Sequence, residues 1–207
     1  MRNTVKLLRY GGGDESHAEA AWASTGGITE EKRTRIPEHL IRLGTSVPRH
    51  TVPFEHSWIQ FQVTSDIATH IQFLKHRTLS INAESARYKE LIDDKQYEPK
   101  DWPQLAQREL WSETIKAFQR YHSFVKQLVD SGMERKRAKE SARFVLPYAH
   151  QITYIISGNF HAYCNFWMLR NSEHAQLEIH ELAQEMLLAV REETKDSFRY
   201  SLEAWGL

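Results

Sequence analysis

Apolar and polar residues alternate along this chain with two periods. Val5-Lys6-Leu7-Leu8-Arg9-Tyr10 reads as a short strand. Trp58-Ile59-Gln60-Phe61-Gln62-Val63 alternates from Ile59 onward, the period of a half-buried strand. Residues 148–157 are rich in β-branched and aromatic side chains and predict another strand. Helical spacing predicts helices over residues 16–24, 35–43, 66–75, 134–143, 159–170 and 173–193. Gly44 is expected as the C′ glycine that ends the second of these. Residues 48–53 and the polar run 77–88 read as loops.

One helix stands out for length. Asp101 is placed to cap it, Pro103 falls in its first turn, and Gln104 completes a capping box. Leu110, Trp111, Ile115, Phe118, Tyr121, Val125 and Leu128 then mark one face, ending near Gly132. At 1.5 Å per residue, about 30 residues span about 45 Å. That is as long as a domain of this size is wide, so the helix is expected to pack on another subunit or along its own domain. The predicted class is α+β: one helix-rich domain over residues 1–207 with a small antiparallel sheet.

Composition narrows the function. Lys plus Arg number 27 and Asp plus Glu number 27, a net charge of zero that argues against a general nucleic-acid binder. The basic run Arg135-Lys136-Arg137 with Lys139 reads as a solvated helix face. A mean hydropathy of −0.60 and no long apolar run exclude a membrane span. Met1-Arg2-Asn3-Thr4-Val5-Lys6 has no apolar h-region, so a cytoplasmic location is expected. The single cysteine, Cys164, permits no intrachain disulfide and no CxxC motif. Set in Tyr163-Cys164-Asn165-Phe166-Trp167, it reads as a buried small hydrophobe rather than a nucleophile. Gly11-Gly12-Gly13 is followed by Asp14 and Glu15, with Ser16 where a phosphate loop needs glycine, so a mobile turn is expected. His180-Glu181 is not continued as HExxH, and no metal site is expected.

Three segments carry candidate chemistry. In the first, a helix ends in Lys75-His76-Arg77, and a polar stretch with Ser80, Asn82, Ser85 and Arg87 follows. Hydroxyls plus guanidinium forks suit a phosphate, although cationic helix ends are also favoured by the macrodipole alone. In the second, Arg143 precedes the apolar run Phe144-Val145-Leu146 and Pro147. In the third, His161 and Asn165 recur at one helical face beside aromatics, Arg170 ends that helix and His174 opens the next. Amide and imidazole donors beside aromatics suit a planar heteroaromatic ligand.

Together these segments resemble the flavin-dependent thymidylate synthases. The family signature is Arg-His-Arg, seven residues, then Ser; here Lys75-His76-Arg77 is followed by seven residues and Ser85. Pro53-Phe54-Glu55-His56, preceded by His50, resembles the family's Pro-Phe-Glu-His. Ala20-Ala21-Trp22-Ala23-Ser24 resembles its Ala-Ala-Arg-Val-Ser stretch, and Leu169-Arg170, His174-Ala175-Gln176 and Glu178-Ile179 its C-terminal signature.

The resemblance implies a homotetramer with active sites at subunit interfaces. It implies reductive methylation of dUMP at C5, with methylenetetrahydrofolate giving the carbon and NADPH the hydride through FAD. It makes Arg170 the catalytic residue, set against the uracil ring, and places Gln72, Lys75, Ser85, Ala86, Arg87 and Arg143 on the nucleotide. Ser24, His50, His76, Arg77, Asn159, His161, Asn165 and His174 match flavin-side positions. Four positions depart from the family pattern. Lys75 replaces an arginine and Ala83 a glutamate on the nucleotide side; Val52 replaces a Ser or Thr and His161 an arginine on the flavin side. The first two motivate an alternative substrate such as UMP, the last two a non-catalytic homologue that binds nucleotide or flavin.

Overall fold

The computed structural model describes residues 1–85 and 95–207. The end of the polar run, with Ala86 and Arg87, lies outside the described residues. Four strands, β1 (Thr4–Gly11), β2 (Trp58–Asp66), β3 (Ser80–Ala83) and β4 (Gln151–Gly158), form one small antiparallel sheet in the order β1-β2-β4-β3. The remaining architecture is helical, as the sequence predicts. The chain divides into two compact units: Met1–Thr4, Thr64–Leu74 and Asn82–Tyr154 form one; Val5–Val63, Lys75–Ile81 and Ile155–Leu207 form the other. Strand β2 keeps the expected period, with Ile59, Phe61, Val63 and Ser65 buried and Gln60, Gln62 and Thr64 partly exposed. Strand β3 corrects the loop expected after Arg77. At the end of the sheet order it is short and polar, so it carries little hydrophobic pattern.

The first unit holds α4 (Ile67–Phe73), α5 (Gln104–Asp130) and α6 (Arg135–Ala142). Asp66 starts α4 by accepting from the Thr69 backbone N–H at 2.8 Å and from its hydroxyl at 2.8 Å. Asn3 braces the cap, donating to Asp66 at 2.8 Å and accepting from Gln151 at 2.9 Å. Helix α5 runs 27 residues, about 40 Å at 1.5 Å per residue. Its start differs from the expectation. Pro103, not Asp101, is the N-cap and no side chain caps the end; Gln107 Nε2 instead donates to the Trp102 carbonyl at 2.9 Å. The buried stripe is Thr114, Phe118, Tyr121 and Val125, while Trp111 from the expected face remains 51% exposed. Tyr121 and Val125 close over Ala142, with Phe124, Val145 and Leu146 around them.

The second unit holds α1 (Asp14–Trp22), α2 (Glu30–Arg33), α3 (Ile36–Thr45), α7 (Phe160–Arg170), α8 (Leu177–Glu193) and α9 (Arg199–Trp205). Helices α2 and α9 are additional to those predicted. Helix α8 starts later than residue 173, so Glu173 and His174 lie in the turn before it. Gly44 is not a terminator: it lies inside α3, where a Cβ would overlap the Ala204 carbonyl oxygen and sit 2.7 Å from the Ala204 Cβ. Its missing side chain lets α9 lie directly on α3. The expected glycine turn is also more ordered than a mobile loop. Gly13 N-caps α1 at φ 145°, and the next residue, Asp14, donates its N–H to the Ser197 carbonyl at 2.6 Å.

Helix α7 is the hub of this unit, with Phe160, Ala162, Tyr163, Cys164, Phe166 and Trp167 buried. Burial pushes the Cys164 thiol up, with the Arg49 charge opposing, which is the environment of an inert core thiol. Phe160 stacks on Phe198 at 5.4 Å, and the buried His17 ring sits against Phe54, Phe160 and Phe198. His17 bonds Ser201 Oγ through Nδ1 at 2.8 Å and Ser57 Oγ through Nε2 at 2.8 Å. Ser201 in turn donates to Asp14 at 2.5 Å. This buried polar chain ties α1 to α9.

Candidate active site

Every flavin-side candidate and the catalytic candidate fall in the second unit, organised around α7. Asn159 starts that helix as its N-cap, accepting from the Ala162 N–H at 2.8 Å. Its side-chain oxygen is therefore used by the fold, leaving the amide nitrogen as its other polar group. From His161, Asn165 lies about 40° round the helix and Arg170 about 180° round it, at ~100° per residue. His161 and Asn165 thus share a face, and Arg170 points from the opposite one, about 13 Å further along the axis.

On the Arg170 face, the guanidinium donates through Nε to His76 Nε2 at 3.0 Å. This contact joins the end of α7 to the Lys75-His76-Arg77 segment. The His76 ring stands edge-on to Phe166 at 5.0 Å. Burial lowers the His76 pKa to about 4, and the Arg170 charge adds to the effect. The ring is neutral at pH 7, and because Nε2 accepts, its proton is on Nδ1. Burial also lowers the Arg170 pKa from its ordinary value, and the guanidinium remains cationic. Its carbonyl contacts His180 Nδ1 at 3.1 Å, which anchors the helix end. Lys75 and Arg77 flank His76 and are exposed.

On the other face, His161 Nδ1 lies 3.2 Å from Glu55 Oε1 in the 3₁₀ turn Val52–Glu55. Its ring packs at 5.3 Å on Trp205 of α9, and Arg49 lies over the same indole at 4.8 Å. Asn165 is exposed on this face; His50 and His174 are exposed on loops, and Ser24 is exposed in the 3₁₀ turn Ala23–Thr25, its hydroxyl donating to Ala21 O at 3.4 Å. Val52 is also exposed.

The nucleotide-side candidates divide. Arg170 and Lys75 belong to the second unit; Gln72 on α4, Ser85 after β3, and Arg143 after α6 belong to the first. Gln72 and Ser85 are partly exposed and Arg143 is exposed. Ala86 and Arg87 lie outside the described residues. Glu84 does not stand in for the glutamate missing at Ala83: its carboxylate accepts from the Thr153 N–H at 3.1 Å, and its own N–H donates to the Thr153 carbonyl at 2.9 Å. That side chain serves the sheet. Three residues that complete these clusters were not singled out by sequence: Phe166, Trp205 and Arg49. Glu55 had a signal, since it stands in the Pro53-Phe54-Glu55-His56 motif.

The sequence profile of the family described as "Thymidylate synthase complementing protein" matches residues 6–194. The flavin-dependent thymidylate synthase of Pseudothermotoga lettingae is 34% identical, over 88% of this chain and 82% of its own. That of Clostridium tetani is 31% identical, over 95% and 86%. Among solved structures, the UMP/dUMP methylase PolB from Streptomyces cacaoi bound with 5-Br dUMP superposes with a TM-score of 0.77 at 27% identity, covering 99% of this chain and 94% of that one. Its form bound with 5-Br UMP gives 0.73. The chain belongs to the flavin-dependent thymidylate synthase family, a class of methyltransferase enzymes.

Proposed function

We propose that this protein converts dUMP, methylenetetrahydrofolate, NADPH and a proton to dTMP, tetrahydrofolate and NADP⁺, with FAD as bound cofactor. The observation that carries the reading is the Arg170–His76 contact at 3.0 Å, which unites two motifs 94 residues apart. The residues present fit a flavin. Amides at Asn159 and Asn165 and imidazoles at His50, His161 and His174 suit the edges of a heteroaromatic ring, and Arg77 suits an anionic tail. When bound, the flavin supplies the hydride that completes the new methyl group.

The protein's own task is to make C5 of the uracil ring nucleophilic. Arg170 sets a cation and planar N–H donors beside N3 and O2, stabilising negative charge that develops on the ring. His76, neutral and with its proton on Nδ1, accepts from Arg170 Nε and fixes the guanidinium plane. By the resemblance, residue by residue, the phosphate falls to Arg143, Arg87 and Lys75 and the rest of the nucleotide to Gln72, Ser85 and Ala86. No cysteine takes part, in keeping with the buried Cys164.

We place the enzyme in the cytoplasm as a homotetramer. The two opposed faces of α7 support the assembly, because His161 and Arg170 of one protomer point away from each other. A complete site then draws these faces from different protomers. Chromatography of the reaction products tests the substrate. PolB is described as acting on UMP as well as dUMP, so UMP is the comparison. Formation of dTMP from dUMP is expected; methylation of UMP alone would move the activity to ribonucleotides, and methylation of neither would overturn the reading.

A further inference from the structure

Arg49 has no place in the roles assigned above, yet its setting is specific. It lies between Pro48 and His50, in the loop that follows α3, and is exposed. The backbone there is tethered, since the His50 N–H donates to the Leu43 carbonyl at 3.1 Å. The guanidinium lies over the Trp205 ring at 4.8 Å. Trp205 is only 5% exposed and packs edge-on against Phe54 at 5.8 Å, so this platform is fixed by the core. A guanidinium held over an indole is positioned by the ring, while its N–H donors lie in its own plane and remain directed sideways. Among the described residues, no carboxylate lies within ion-pair distance of Arg49. The nearby acid, Glu55, is engaged by His161, whose ring packs on the same indole. Arg49 is therefore an exposed cation backed by a buried aromatic ring, and His161 packs on that same ring.

We infer that Arg49, held over the Trp205 ring on which His161 also packs, grips the diphosphate of the bound flavin dinucleotide. The inference rests on the reading of the protein as a flavin enzyme. The chemistry matches: two linked phosphoryl groups offer adjacent oxygens to one planar fork, which an ammonium cannot match. Arg49 reaches the indole from a different segment of the chain than His161 does.

The test compares binding of FAD and of riboflavin, which lacks phosphate, to the full-length protein freed of flavin, by quenching of flavin fluorescence. Wild type, Arg49→Ala and Arg49→Lys are measured, with circular dichroism and Tm on each. Loss of charge-assisted hydrogen bonds predicts an FAD Kd raised about 10- to 30-fold in Arg49→Ala, with riboflavin unchanged. Arg49→Lys recovers part of the affinity, because it restores charge but not the fork. An unchanged FAD Kd overturns the inference, as does a parallel loss for FAD and riboflavin, which would mark a structural role. An unchanged FAD Kd with a raised KM for methylenetetrahydrofolate would assign Arg49 to the folate's carboxylates and overturn the flavin assignment. Wild type that binds neither flavin would instead overturn the flavin-enzyme reading, and this inference with it.

Discussion

The buried His17 makes the folded state sensitive to acid. Its ring is enclosed by Phe54, Phe160 and Phe198 and bonded by Ser57 and Ser201, with Asp14 beyond Ser201 and the His56 charge nearby. Burial first, and His56 second, lower its pKa from 6.5 to about 3. The unfolded chain therefore binds a proton here well before the folded one does. Stability is fully present above pH ~6.5 and is lost as pH falls through the window down to ~3. At pH 5 the unfolded imidazole is nearly all protonated and the folded one is not. The loss between pH 7 and pH 5 is then about 2 kcal/mol, set by the unfolded pKa because pH 5 stands well above the folded value. Asp14 acts in the opposite sense, since burial raises its pKa. The comparison with His17→Gln, which keeps an amide for one of the two serines, isolates the histidine. Urea unfolding at pH 7, 6 and 5 should show the wild type losing about 2 kcal/mol more than the variant over this interval. Equal losses in the two proteins would refute the argument that burial keeps this ring neutral.

Three further substitutions probe the fold and the site. Gly44→Ala forces a methyl group against Ala204 and should lower stability by about 1–3 kcal/mol, read as a fall in Tm; an unchanged Tm would show that α3 and α9 are not in close contact. Asn159→Ala removes the N-cap of α7 and should cost about 1 kcal/mol in chemical denaturation, with no cost expected if the cap is decorative. Arg170→Ala should cut turnover far more than flavin content. It should also raise the His76 pKa above about 4, read by NMR titration, since it removes one of the two causes of the depression. Equal turnover, or an unmoved His76, would remove Arg170 from the role assigned to it.

The sequence made α7 readable at several levels at once. Asn159 announces a cap, the aromatic run announces burial, and Arg170 stands where the helix ends. Strand β2 was as clear, because one face is buried and alternation survives. Elements set by tertiary context were harder to read. Helix α9 has seven residues, too few for a periodic signal, and follows Lys195 and Asp196 at positive φ without a glycine to mark the turn. It is held against α3 through Gly44, a glycine that local rules read as a terminator because they cannot see a close approach. Helix α5 kept its length but not its cap, since Pro103 takes the position assigned by pattern to Asp101. In the site, the motifs marked His76 and Arg170, while their contact spans 94 residues. Arg49 carries no motif at all; only its position over Trp205 reveals it.

Release of tritium from C5-labelled dUMP tests the central claim most directly, because replacement of the C5 hydrogen is the step proposed for Arg170. Tritium release that depends on FAD, NADPH and methylenetetrahydrofolate together, and that falls sharply in Arg170→Ala, is the predicted result. Flavin-loaded protein that releases no tritium from dUMP, or releases it equally well without Arg170, would contradict the account.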